Sequence, residues 1–93
     1  DARRNIFLIA KEAVNNLVKY SECTQAVINF SLNHSLLTMR ITDNGKGFDI
    51  ENAKSTRNGL RNMKQRAELI HGNLTITSET GKGTDITLMV KII

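Results

Sequence analysis

Apolar residues along this chain recur first at helical and then at strand spacing, and the order repeats after a polar break. That double alternation limits the folds open to it. From Ile6 to Val18, the residues Ile6, Ala10, Ala13 and Leu17, with Phe7, Val14 and Val18, fall three and four apart, the period of a helix face. A helix is predicted from about Arg3 to Tyr20. Ala26, Ile28, Phe30 and Leu32 then alternate with Val27, Asn29 and Ser31, and alternation returns over Leu37 to Ile41 after the connector Asn33, His34, Ser35. This predicts a hairpin. Between Asp43 and Arg57 the pattern stops, leaving a polar loop of a length that goes with function or motion in compact domains. Helical spacing resumes at Leu60, Met63, Ala67 and Ile70, so a second helix is predicted over Gly59 to His71, with Gly72 in the left-handed cap position. Leu74 to Thr77 and Asp85 to Ile92 predict two further strands, joined by Glu79, Thr80, Gly81, Lys82 and Gly83. One apolar stripe per helix and one apolar face per strand are most economically buried in an α+β, two-layer α/β sandwich, with the helices on one face of a mixed β-sheet.

Composition narrows the function classes. Ninety-three residues, 40% of them hydrophobic, make one domain, residues 1–93, that buries roughly 60 to 70% of its unfolded surface. The first residue is Asp1 and the helix begins almost at once, so we expect a fragment of a longer chain. One Cys and two His fall short of the four ligands of a structural zinc site, and a lone Cys23 suits a reducing compartment, hence a cytoplasmic location. No apolar run approaches the roughly 20 residues that span a bilayer, so no membrane contact is expected from this fragment, whatever anchor its parent carries. The net charge of +4 favours anionic partners. Its Lys and Arg are scattered rather than interleaved with aromatic residues, so direct nucleic-acid binding is not expected.

Four polar segments carry candidate chemistry. On the first helix Glu12, Asn16 and Lys19 fall within an arc of about 60°, with Tyr20 at its edge. By itself this describes a solvated helix face as well as a site. Asp43, Asn44, Gly45, Lys46 and Gly47 follow a predicted strand: a carboxylate there can accept a hydrogen bond from an amino group, and the two glycines admit close backbone approach. The pattern matches neither a calcium loop, a dinucleotide fingerprint nor a P-loop. Asn58 to Met63 open the second helix, where free N–H groups suit phosphate, and Thr80 to Thr84 form a glycine-rich turn.

Taken together, these segments resemble the ATP-binding domain of sensor histidine kinases, a branch of the GHKL ATPase superfamily. Glu12 to Tyr20 is similar to its N box, Asp43 to Gly47 to the first glycine box, Asn58 to Met63 to the second and Gly81 to Thr84 to the third. Short spacing from Phe48 to Arg57 resembles the short lid of kinases paired with response regulators that carry a helix-turn-helix output domain. Arg57 stands where the second box often has Gly, and Tyr20 where many short-lid members have His.

The resemblance implies ATP and Mg2+ as cofactors and a set of residue roles. Asp43 would bind the adenine amine, Asn16 would give an oxygen to Mg2+, and Glu12 would act as the catalytic group that orients or deprotonates the nucleophile. Lys19 would contact phosphate and Tyr20 would pack beside adenine. Gly45 and Gly47 would admit the nucleotide, Gly59 and Leu60 would offer amides to phosphate, and Gly81, Gly83 and Thr84 would close the base pocket. The implied partners are the dimerisation and phosphoacceptor domain of the same kinase and a response regulator. Neither His34 nor His71 resembles the phosphoacceptor. Two alternatives stay open: a protein-serine kinase regulating a sigma factor, and a non-catalytic interaction module.

Overall fold

The computed structural model describes residues 2–47 and 57–92. The expected lid lies outside the described residues over positions 48–56, as do the side chains of Tyr20, Arg57 and Asn58. Helix α1 spans Ala2–Asn16 and continues as a π-helical turn, Leu17–Ser21, which ends at Glu22 in the left-handed region (φ 53°). Strands β1 (Ala26–Asn33) and β2 (Leu36–Asp43) form the first hairpin, helix α2 spans Arg57–Leu69, and β3 (Asn73–Glu79) and β4 (Gly83–Lys91) form the second hairpin. Two helices pack on one four-stranded sheet, the expected α+β sandwich.

The sheet differs from the mixed one expected. Its order is β1-β2-β4-β3 and every neighbouring pair is antiparallel. β2 and β3 do run the same way, but β4 lies between them. In that central position Ile86, Leu88 and Val90 of β4 are buried, whereas Leu74 and Ile76 of the edge strand β3 are only partly so. Leu37, Met39 and Ile41 of β2 oppose Val90, Leu88 and Ile86. Ile9 and Ala13 of α1 and Leu60, Met63 and Ala67 of α2 close the core over those rungs. At roughly 1.5 to 3 kcal/mol for each large side chain removed from water, this cluster is the main favourable contribution to folding.

Two local findings correct the sequence reading. The left-handed residue after α2 is His71 (φ 56°), not Gly72. The His71 N–H donates to the Glu68 carbonyl (3.1 Å) and the Gly72 N–H to the Ala67 carbonyl (2.8 Å), the paired bonds of a Schellman cap shifted one residue earlier. Gly72 is small for another reason, since a Cβ there would stand 3.1 Å from Leu88 Cδ1. The second correction concerns β1. Ile28, Phe30 and Leu32 sit opposite Ile41, Met39 and Leu37 and so share the helix-side face, yet they are 50%, 59% and 57% exposed. An apolar groove lined by Ile6, Phe7, Ala10, Phe30, Leu37 and Ile92 runs along this edge.

On the opposite sheet face Arg40 grips Asp85, with Nη2 2.6 Å from Oδ2 and Nε 3.2 and 3.3 Å from the two oxygens, while the Thr87 hydroxyl donates to Oδ1 at 3.2 Å. The Arg40 hydrogen bonds hold the Asp85 carboxyl below the ordinary aspartate range, against partial burial, with further help from Thr87 and from the Arg40 charge. Among the described residues no helix is long and apolar enough to cross a membrane.

Candidate functional site

The end of β2, the end of α1 and the β3–β4 hairpin converge because glycines let their backbones touch. Gly47 has φ 62°, and a Cβ on it would overlap the Glu79 carbonyl; Gly83 has φ 84°, and a Cβ there would overlap the Asp43 carbonyl. An L side chain is excluded at both by conformation and by space. A Cβ on Gly45 would likewise run into the Ser21 backbone. The gaps so closed are bridged by backbone hydrogen bonds, from the Lys46 N–H to the Ser21 carbonyl (2.8 Å) and from the Gly81 N–H to the Lys46 carbonyl.

Within this junction a cavity is lined by Ala13, Asn16, Leu17, Ser21, Ile41, Asp43, Gly47, Leu60, Thr84 and Ile86. Asp43 is the last residue of β2, and its Oδ1 accepts the Gly45 N–H at 2.8 Å. Its other carboxylate oxygen has no partner among the described residues and is available as an acceptor. Thr84 pairs with Asp43 across the sheet, and its hydroxyl is 2.9 Å from the Ser78 hydroxyl, which itself donates to the Gly83 carbonyl. Asn16 is the last residue of α1 proper.

Gly59 connects this cavity to its neighbour. It lies in the first turn of α2, among the helix positions whose N–H groups lack an intrahelical acceptor. A Cβ built on it would stand 2.8 Å from Glu12 Oε2 and 3.2 Å from Asn16 Nδ2, so the helix start lies directly against both. Glu12 itself lines a second groove, between the helices, together with Leu8, Lys11, Asn15, Asn62, Met63 and Arg66. The two helices thus set a carboxylate, an amide and a helix start whose N–H groups lack intrahelical acceptors side by side, an arrangement suited to a phosphate chain and its counter-ion.

Of the residues singled out from the sequence, Asn16, Asp43, Gly47, Leu60 and Thr84 line one cavity, with Glu12 and Gly59 next to it and Gly45 and Gly83 framing it from behind. Two stand apart. Lys19 lies on the π-helical turn, exposed, and lines none of the described cavities, because the change of winding after Asn16 breaks the 100° spacing on which its grouping rested. Gly81 is at the exposed tip of the hairpin. Tyr20 falls within the same π-helical turn, but its side chain lies outside the described set. Ser21, 7% exposed and the one buried polar residue among those described, was not anticipated. It follows the predicted helix, and only its position one residue beyond Tyr20 could have pointed to it.

A protein-family model for the histidine kinase-, DNA gyrase B- and HSP90-like ATPases matches residues 1–92. The chain belongs to that ATPase family. Relatives of this ATPase domain include the Bacillus subtilis signal transduction histidine-protein kinase/phosphatase DegS, 39% identical over 90 residues covering 94% of this chain and 23% of DegS. The sensor histidine kinase LiaS of the same species is 35% identical over 88 residues, covering 95% of this chain and 24% of LiaS. The domain therefore spans about a quarter of the length of these relatives. Solved structures share its fold: the histidine kinase domain of the Erythrobacter litoralis EL346 blue-light activated histidine kinase (TM-score 0.76, 20% identity, covering 95% of this chain and 43% of that one) and the Acinetobacter baumannii histidine kinase AdeS (TM-score 0.78, 18% identity, 97% and 47%).

Proposed function

We propose that this ATPase domain is the Mg-ATP-binding catalytic domain of a two-component sensor histidine kinase, transferring the γ-phosphoryl group of ATP to a His on a separate dimerisation domain. One observation carries the reading: Asn16, Asp43, Leu60 and Thr84, from four segments remote in sequence, line one cavity that holds an acceptor carboxylate at the end of β2. The relatives DegS and LiaS, whose names describe histidine kinases, support it.

In this reading the Asp43 carboxylate accepts a hydrogen bond from the adenine amine, which favours ATP over GTP because guanine presents a carbonyl at that position. Thr84 and Gly83 close the base side, Tyr20 packs beside the ring, and Gly47 lets the chain pass close to the nucleotide, while Gly45 lets the strand end close on Ser21 behind the cavity and Gly81 stays at the hairpin tip. The N–H groups of Gly59 and Leu60, which lack intrahelical acceptors, hold phosphate, and Lys19 adds positive charge from outside the cavity. Glu12 orients or deprotonates the attacking nucleophile. Positioning and charge neutralisation supply most of the catalysis in phosphoryl transfer, so one candidate base suffices.

Mg2+ fits the donor set that is present. Asn16 brings its side-chain amide beside the start of α2, where Nδ2 stands 3.2 Å from the place a Gly59 Cβ would take, and a half-turn of that amide would present its oxygen as a single ligand. That suits a small hard cation taking its other ligands from phosphate and water, and when bound it would neutralise charge on the transferring phosphoryl group. The partners in this reading are the dimerisation domain carrying the acceptor His and a cytoplasmic response regulator with a helix-turn-helix output domain. His34 and His71 are both exposed, both at positive φ and both at turns, and neither is assigned as acceptor.

Calorimetric titration with Mg-ATP and Mg-GTP tests the proposal. Saturable binding that prefers ATP by at least about tenfold is expected, as is its loss in a folded Asp43→Ala variant. Equal affinity for the two nucleotides, or undiminished binding in the variant, would remove the adenine assignment.

A further inference from the structure

Asn44 belongs to the first glycine box, yet its side chain points away from the cavity. Its Oδ1 accepts hydrogen bonds from the backbone N–H groups of Thr24 and Gln25, both at 3.0 Å, and its Nδ2 donates to Thr24 Oγ1 at 2.9 Å. Its own N–H donates to the Gln25 carbonyl at 3.2 Å. All four bonds run to the connector between the π-helical turn and β1. Two residues on, the Lys46 N–H donates to the Ser21 carbonyl, and between them Gly45 lies against Ser21 with no room for a side chain. The chain on either side of Asp43 is thus tied to the segment that follows Asn16 and Leu17.

From this we infer that Asn44 is a positioning residue for nucleotide specificity: through the Thr24–Gln25 connector it fixes the distance between the Asp43 carboxylate and the end of α1, and so aims that carboxylate without touching the nucleotide. The inference rests on the adenine role given to Asp43 above. Two features separate it from a merely structural role. Asn44, Thr24 and Gln25 are all exposed, so water can replace the lost bonds and the cost to global stability is small. The bonds are also confined to one wall of the cavity, the wall that carries Asp43 and Ser21, whereas Thr84, Gly59 and Leu60 are held by other elements. Loss of Asn44 should therefore weaken recognition of the amine and spare the phosphate contacts.

The test compares Mg-ATP with the Mg complex of purine riboside triphosphate, which lacks only the 6-amino group, by calorimetry on the wild-type chain and on Asn44→Ala and Asn44→Asp. The wild type is expected to favour ATP about tenfold. In Asn44→Ala the preference should fall to threefold or less through weaker ATP binding, with affinity for the analogue and the melting temperature nearly unchanged. Asn44→Asp, which keeps the acceptor for both N–H groups and can take the Thr24 hydroxyl as donor, should restore it. Should Asn44→Ala fail to fold, Thr24→Val removes one of the bonds and is expected to show a partial loss. A preference that survives intact in the folded variant, or an equal fall for both nucleotides, would overturn the inference and leave the proposed function standing. No preference in the wild type would instead remove the adenine role of Asp43, and the inference with it.

Discussion

At Gly83 the left-handed backbone and the Asp43 carbonyl leave no space for any side chain, and the residue's place in a glycine-rich turn was legible in the sequence while the reason was not. Two glycines flanking a lysine, as in Gly81, Lys82, Gly83, read equally well as a hairpin turn. Only the register, with Asp43 opposite Thr84, shows that the turn abuts the strand end carrying the carboxylate. Asp85, one residue further, illustrates a different limit: its partner Arg40 is remote in sequence, and no periodicity connects them. Because the Arg40 hydrogen bonds depress its folded pKa, Asp85 stabilises the fold above its unfolded value of about 3.9 and loses that contribution as pH falls through the lower folded value. Both side chains are substantially exposed, so the effect is small. In urea denaturation, the stability gap between wild type and Asp85→Asn is expected to hold from about pH 7 to 5 and to narrow progressively as pH falls below about 4. A gap that stays constant down to the acid end of the titration would show that the ionised carboxylate is not its source.

Elements were easier to read than their ends. Both helices and all four strands follow from the period of the apolar residues, because burial of one face is what that period records. Caps depend on φ at single residues, and there composition misled: Gly72 looked like the left-handed residue after α2, and His71 holds that conformation. A non-glycine residue pays about 1 kcal/mol for it. His71→Gly is therefore expected to raise stability by about 1 kcal/mol in thermal unfolding, and a fall would show that the imidazole makes a contribution the backbone does not explain. The end of α1 was harder still. A widened turn over Leu17–Ser21 leaves no trace in the apolar spacing, so the spacing alone groups Lys19 with Glu12 and Asn16 and gives no sign of Ser21. The candidate site was thus legible wherever it sits on regular structure, and obscure where the winding changes.

For the molecule as a whole, alternation in β1 predicts burial of one face, yet the helices cover β2 and β4 and leave Phe30 beside Phe7 in an open groove. Alternation reports which residues share a face, and what covers that face is decided by the packing of other elements. Phe30→Lys is accordingly expected to change stability by no more than about 0.5 kcal/mol while lowering the binding of an apolar fluorescent dye; a loss of several kcal/mol would show that the groove is part of the core. The central pairing of β2 with β4 has a consequence of its own. Asp43 and Thr84 meet only when strands from the two hairpins come together, the longest-range closure in the sheet. A ligand that needs both residues finds nothing to grip in a chain whose hairpins are still separate. Such a ligand cannot guide the chain toward its native form; it acts as a latch, lengthening the life of molecules already folded and leaving the pace of folding unaltered.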